Sequence, residues 1–425
     1  MSTAKYDVVV YGATGFTGKL VAQYLATHPQ QPKVAFAGRN ASKLQDVKRE
    51  LVDVSKDRLE SIDLMEASAS DKASLQRMAR SAKVVINMVG PYALLGAFDV
   101  AKAVAEAGTG YVDLTGETDV FAHLARELHG QAKQTGAVII PSAGFDCVPF
   151  DIGTYFAAQE IKKKLGPDAE IDHVLVGYLV KGSVSGGTLA SAVNMANEPE
   201  VLKYTQPYWL SPVQGTQKLQ SYFTRYLPQF DKYGSYTLFT PHNTRVVNRS
   251  WGLLEDARTS NRYGATFKYL EGFVAPNRVA AVVISNVMRT VAWLLLHVSM
   301  FGVLLNKLVP QGTGGSMEKQ LQGFGNVRTL AYARDGTTKA LSVFRVKGDP
   351  GYLKTATFIA EAALTIALDK DRLSPLGKQG GVLTTATFGA EAYRDRLTKY
   401  AGVTIESADV TNADAKSTLA LPAKL

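Results

Sequence analysis

Three glycines in the run Gly12-Ala13-Thr14-Gly15-Phe16-Thr17-Gly18 stand directly after the apolar stretch Val8-Val9-Val10-Tyr11. Between a strand and a helix, such a loop can cradle a pyrophosphate. The first glycine permits the tight turn, the second lets the backbone approach the phosphates, and the third lets the helix pack close to the strand. The spacing is GxxGxxG rather than GxGxxG. A P-loop does not fit, because Ala13 stands where its first glycine belongs and Leu20 where it needs Ser or Thr. About twenty residues further on, the run Lys33–Gly38 ends at Arg39, with Asn40 and Lys43 close behind. An NAD site would place a carboxylate there to hold the ribose 2′-hydroxyl. A guanidinium with a lysine nearby suits a 2′-phosphate instead, which predicts NADP(H) as cofactor. The competing reading is a ligand-free turn with Arg39 as a solvated charge. Val89, Gly90 and Pro91, at the end of the apolar run Val84–Val89, complete the predicted cofactor set.

A reductase also needs a proton source and groups that hold the reacting carbon. Tyr92, Glu117 and Asp146 are the candidates, each just past the end of a predicted strand, with Asp113 close to Glu117. Each has a structural alternative: Tyr92 as a cover for the nicotinamide ring, Asp113 and Glu117 as turn carboxylates bonded to backbone N–H groups, and Asp146 as the N-cap of the helix that follows. No tyrosine has a lysine four residues later, so the Tyr-x-x-x-Lys chemistry of short-chain dehydrogenases is not supported. Cys147, the only cysteine, is expected as a small buried hydrophobe rather than a nucleophile. It excludes an intramolecular disulfide, and with six scattered histidines and no HExxH or CxxC no metal site is predicted.

These groups must be positioned by an alternation of strands and helices. Strands are predicted at Val8–Tyr11, Lys33–Gly38, Ser61–Met65, Val84–Val89, Tyr111–Thr115 and Ala137–Pro141, with helices at Lys19–His28, Lys72–Ser81, Phe98–Ala107, Phe121–Gln134 and Val148–Ala158. That order gives an α/β fold whose N-terminal part is a Rossmann, doubly wound parallel sheet over residues 1–150, with ligands at the carboxyl ends of the strands. A second, mixed α/β domain is predicted from 151–278 and 311–407. It includes a hairpin around Asp335-Gly336 and a helix over Thr355–Leu368. Residues 279–310 form an apolar helical segment and 408–425 a polar, frayed tail. Gly182–Thr188 is a Gly/Ser-rich loop, either at the cofactor cleft or a plain surface turn, and Gln311–Ser316 is a linker.

The run GATGFTG, then AGR, NMVGPY, Tyr111-Val-Asp-Leu-Thr-Gly-Glu117 and above all Gly144-Phe-Asp-Cys-Val-Pro-Phe-Asp-Ile-Gly153 resemble the saccharopine dehydrogenase-like oxidoreductases. The branch resembled includes the mycobacterial trans-acting enoyl reductases and an animal lipid-droplet protein. The resemblance covers most of the chain, resuming at Lys181–Thr188 and from Gly351 to Thr384. Where other members commonly carry serines this chain has Cys147 and Phe150. The resemblance implies an NADP-type Rossmann domain, a second mixed α/β domain and oxidoreductase activity, without fixing the substrate.

The net charge of +9 is regional. Residues 1–150 carry 16 basic and 16 acidic side chains, whereas 201–310 carry 12 against 4, together with all three tryptophans. No RRM, KH or helix-turn-helix pattern accompanies this stretch, and nucleic acid is not expected as a partner. Val279–Val309 is almost continuously apolar, interrupted by Asn286, Arg289 and His297. It falls short of a full membrane span and fits a helix or hairpin lying in one leaflet, against the competing reading of a buried core or homodimer helix. The expected place is intracellular, at a lipid droplet or membrane. Cytosol, mitochondrion and peroxisome are the alternatives, the last from the C-terminal Ala423-Lys424-Leu425. The function expected is NADPH-dependent reduction of a hydrophobic acyl or lipid-linked substrate at an enoyl C=C bond. The alternatives are a membrane- or droplet-bound nucleotide-binding scaffold without turnover and a saccharopine-type amino-acid reductase.

Overall fold

Val8–Val10, Val34–Phe36 and Val84–Ile86 are unbroken apolar runs, the pattern of strands covered on both faces, and all are buried. The computed structural model describes residues 4–182, 193, 206–220, 222–298, 300–302, 304, 316–413, 415, 416 and 418. In chain order, with helices of ten or more residues numbered, the first part comprises β1 Tyr6–Tyr11, α1 Phe16–Ala26, β2 Val34–Gly38, α2 Ala41–Glu50, β3 Asp63–Glu66, α3 Lys72–Ser81, β4 Ala82–Asn87, α4 Ala97–Ala107, β5 Gly110–Asp113, α5 Thr118–Thr135 and β6 Val138–Ile140. There follow α6 Val148–Leu165, β7 Ile171–Lys181, β8 Tyr226–Leu227, β9 Lys232–Ser235, α7 Thr240–Asp256, β10 Lys268–Ala275, α8 Arg278–His297, β11 Phe324–Ala333, β12 Lys339–Lys347, α9 Thr355–Leu368, β13 Gly381–Val382, α10 Ala390–Tyr400 and β14 Val403–Asp409.

The first sheet has seven parallel strands in the order β13-β6-β5-β4-β1-β2-β3, a doubly wound arrangement whose order reverses beside β1. The second sheet runs β14-β12-β11-β7-β10-β9-β8, antiparallel except for the β7–β10 pair. The fold class therefore matches the one expected. The Asp335-Gly336 hairpin is present too, with Gly336 at φ +76° and the Asp335 carboxylate accepting from the Thr337 and Thr338 N–H groups, both at 2.8 Å.

Two expectations are corrected and one alternative reading is set aside. First, the segment after residue 311 does not stay wholly with the second sheet: β11, β12 and β14 lie in it, but β13 and α9 do not. The β13 strand pairs with β6, whose three residues would otherwise be an exposed edge. The helix α9 lies between the two sheets, packing on β1, β4 and β5 while Phe358 meets Phe344 of β12 edge-on at 5.6 Å. An alanine-rich helix without a polar face suits a position covered on all sides. Second, order extends past residue 408. Asp409 pairs with Ala340, and Val410, buried among Leu330, Leu341 and Val343, donates its N–H to Lys339 O. Third, α8 is not a core helix: of its residues only Ala281 and Ser285 are buried. Residues 183–188 of the Gly/Ser-rich loop, the linker up to residue 315, the apolar residues 305–309 and the C-terminal tripeptide 423–425 lie outside the described residues.

Candidate active site

The glycine loop closes over the end of β1 as its sequence requires. Gly12 has φ +87°, and a Cβ there would sit 2.6 Å from Val89 Cγ2; a Cβ on Gly18 would lie 2.3 Å from Gly12 O. Gly15 is different, being exposed, with only Gly12 O at 3.5 Å from where its Cβ would stand. The first and third glycines thus serve packing and the second leaves the open approach that a pyrophosphate needs. No side chain caps α1 and no acidic residue lies in its first turn, so its N-terminal N–H groups and dipole face an anion without competition. Ala13 is buried, Thr14 and Thr17 are half-buried, and Phe16 packs edge-on against Tyr352 at 5.6 Å.

Arg39 and Lys43 are exposed at the end of β2 and on the first turn of α2, near the glycine loop. Asn40 is the N-cap of α2, its Oδ1 accepting from Lys43 N–H at 3.0 Å, so its carbonyl oxygen holds protein rather than ribose. Val89 abuts Gly12, and Gly90 and Pro91 follow it in the chain, Gly90 lying against the Tyr92 ring. These residues fit a 2′-phosphorylated dinucleotide: free helix donors for the pyrophosphate, two exposed cations at the adjacent strand end and no carboxylate at the ribose position.

The neighbouring strand ends are tied into one platform. Asp113 Oδ1 accepts from Thr115 N–H at 2.8 Å and Ser142 N–H at 3.1 Å, and its Oδ2 from Tyr111 OH at 2.8 Å. Burial pushes this carboxyl up to about 6 despite those bonds. Glu117 accepts from the N–H groups of Tyr92 and Ala93, each at 3.0 Å, and so fastens the loop after β4. The Tyr92 hydroxyl accepts from Leu114 N–H at 3.1 Å and donates to Asn87 O at 3.3 Å. Both side chains are buried and bonded to backbone groups, an arrangement that suits holding the loops in position.

Asp146 behaves otherwise. Cys147, not Asp146, is the N-cap of α6, so the capping alternative fails. Asp146 is solvent-accessible and has no hydrogen-bond or ion-pair partner among the described residues. Partial desolvation by the surrounding protein raises its carboxyl to about 6. The second aspartate of the Gly144–Gly153 run, Asp151, is structural, accepting from Ser250 OH, Thr385 OH and Ala386 N–H. Cys147 is buried, as expected, with its thiol directed to Asn243 Oδ1 at 3.4 Å.

The second sheet adds residues that sequence reasoning missed. Tyr178 of β7 packs edge-on against Phe150 at 5.1 Å and shares a hydrogen bond with Thr237 at 2.5 Å. Burial, then the charge of Glu271 and that of Asp146, holds its phenol well above the ordinary value. Glu271 of β10 is fully buried and accepts from Tyr269 OH at 2.6 Å and Asn243 Nδ2 at 3.2 Å. A carboxylate inside the apolar strand Lys268–Ala275 is a signal the sequence did offer. His242, in the first turn of α7, bridges Thr118 Oγ1 at 2.8 Å and Ser142 Oγ at 3.1 Å. Two arginines counted in the basic stretch, Arg245 and Arg249, are buried and donate to backbone carbonyls of Gln206, Pro241, Leu210 and Val382, so part of that charge is internal scaffolding.

Residues 8–140 match the family model described as the saccharopine dehydrogenase NADP binding domain. The chain is 35% identical to a trans-acting enoyl reductase of Mycobacterium leprae over 425 residues, covering 94% of this chain and 97% of that one. It is 34% identical to a trans-acting enoyl reductase of Mycobacterium tuberculosis over 416 residues, covering 92% and 96%. In fold it is similar to apo saccharopine dehydrogenase (L-Glu forming) from Saccharomyces cerevisiae, with a TM-score of 0.51 at 13% identity over 95% of this chain and 100% of that one. At 35% identity over 94% of its length, and with residues 8–140 matching the NADP-binding domain model, the chain belongs to the saccharopine dehydrogenase-like family of NADP-dependent oxidoreductases.

Proposed function

We propose that this protein reduces the enoyl C=C bond of a hydrophobic acyl substrate with NADPH, and that Asp146 supplies the proton. The observation that carries this reading is the water-accessible Asp146 carboxyl, without a partner among the described residues, in the segment that follows β6 at the end of the parallel sheet that also carries the glycine loop after β1. NADPH, when bound, supplies the hydride that adds to one carbon of the double bond. The protein's own task is to hold that carbon in place, exclude water from it and deliver a proton to its neighbour. Glu117, Asp113 and Tyr92 fix the loops that line the site, and Asp146, protonated in a substantial fraction near pH 6, gives up its proton from Oδ. The enoyl specificity rests on the relatives named above, and the apolar face of α8 favours a lipid or droplet surface as the place where an acyl substrate is met.

The test is NADPH oxidation at saturating enoyl thioester, beside imine and carbonyl substrates. Asp146→Asn is expected to lower kcat about a hundredfold, within the usual range for a general acid, with NADPH affinity unchanged. The wild-type rate should fall as pH rises through about 6, because the proton donor is then lost. NADPH binding with no oxidation of any substrate would instead indicate a scaffold without turnover. Turnover of an imine alone would favour the amino-acid reductase.

A further inference from the structure

The helix α8 presents an apolar face that nothing in the described chain covers. Val279 is 73% exposed, Val283 55%, Val287 49% and Trp293 55%. Val279, Val283 and Val287 recur every four residues, so they form one stripe. The polar residues on the same face turn back on the helix backbone: Asn286 Nδ2 donates to Val282 O at 2.9 Å, and His297 Nδ1 is 2.9 Å from Trp293 O. The opposite face is anchored. Ser285 Oγ donates to Phe223 O at 2.7 Å and accepts from Tyr236 N–H at 2.9 Å, and Met288 packs beside Phe223 and Leu227.

Two facts decide how such a helix could meet lipid. The strands before and after it, β10 and β11, both border β7 in the same sheet, so the flanking chain lies on one side and a single crossing is excluded. A return crossing would have to be made between Val298 and the polar Gln311–Ser316, a stretch of 12 residues, well short of the roughly 20 that a spanning helix needs. Charge points the same way. Between Phe273 and Met300 there is no Asp or Glu, while Arg278 and Arg289 are exposed on the helix and Arg225 and Lys232 on the adjoining β8–β9 hairpin.

We infer that α8 is a monotopic docking surface for an anionic lipid leaflet: it lies in the membrane plane, with Val279, Val283, Val287 and Trp293 among the acyl chains and Arg278 and Arg289 at the head groups. This rests on the geometry of α8 and not on the reaction proposed above. The full-length protein is floated with phosphatidylcholine vesicles with and without phosphatidylserine. Wild type should rise with the mixed vesicles and less with the neutral ones. The double variant Val283→Asp/Val287→Asp should lose about a hundredfold in binding, the factor expected for a carboxylate placed among acyl chains, while NADPH affinity, unchanged, shows that it folds. Trp293 emission should be quenched by brominated acyl chains, and Trp293→Phe should remove the quenching. Equal flotation of variant and wild type would overturn the proposal. So would a wild type that stays with the lipid-free fractions and sediments as a dimer that the double variant splits, which would make a second copy the occupant.

Discussion

Arg39 and Asp146 show what single side chains contribute once their partners are known. Arg39 is exposed at the end of β2, beside the loop that admits the pyrophosphate through Gly15. A charge-assisted contact to a 2′-phosphate is worth about 1.5–3 kcal/mol. Arg39→Ala should therefore weaken NADPH binding roughly ten- to a hundredfold and NADH binding little, measured by calorimetry; equal losses for both nucleotides would remove Arg39 from the 2′-phosphate. The candidate cofactor loop was legible in the sequence because its geometry is local: a glycine at positive φ, an uncapped helix start, a charge closing a strand. The proposed proton donor, Asp146, was legible only as one of several carboxylates. Asp113, Glu117, Asp146 and Asp151 look alike in one dimension, and hydrogen bonds made across the fold separate them: among the described residues, three reach Asp113, two backbone N–H groups reach Glu117, three donors reach Asp151 and none reaches Asp146.

Among the elements, α7 does what the sequence hid. Its first turn plugs into the ends of β6 and α5 through His242. Ser142 Oγ gives its hydrogen to Thr115 O at 2.6 Å, so His242 Nε2–H must donate to Ser142 and Nδ1 must accept from Thr118. The ring is held neutral, and burial together with Arg245 lowers it from 6.5 to about 3. Since the folded value lies below the unfolded one, the stabilisation is complete above pH 6.5 and is lost as pH falls towards 3. From pH 6.5 to 5 wild type should lose on the order of 2 kcal/mol from this group, read from urea unfolding, and His242→Gln should lose correspondingly less. The same pH dependence in both would assign the acid sensitivity elsewhere. The sequence offered only a lone histidine after a proline, with nothing to tie it to Thr118 or Ser142.

Across the whole molecule, the chain's last elements hold the nucleotide half in place. Glu361 of α9 is fully buried and accepts from Tyr24 OH at 2.5 Å, Arg396 Nε at 2.6 Å and His28 Nε2 at 3.0 Å, joining α1, α9 and α10. Arg396 also reaches Gln30 Oε1 at 2.6 Å and Asp369 at 3.1 Å. Removing one member of a buried pair costs about 3–5 kcal/mol, because the other charge is left uncompensated. Glu361→Ala should lower the unfolding free energy by that amount, and Glu361→Leu/Arg396→Leu by less than the single change. A double variant as unstable as the sum of its parts would mean that the pair is not coupled. The regional charge, too, takes its meaning from the whole: Arg245 and Arg249 are spent on backbone carbonyls, whereas Arg278 and Arg289 face outwards beside the apolar stripe of α8.

By itself the sequence determined the parallel sheet, its glycine loop and the preference for a 2′-phosphate, because apolar period, glycine placement and the charge at a strand end act within about forty residues of one another. Only the tertiary structure decided that β13 and α9 return to the first sheet, that Glu117 and Tyr92 hold loops while Asp146 stands free, and that α8 is exposed rather than core. Each of these depends on which distant groups satisfy a buried polar atom or cover an apolar face. Local pattern carries no information about either partner.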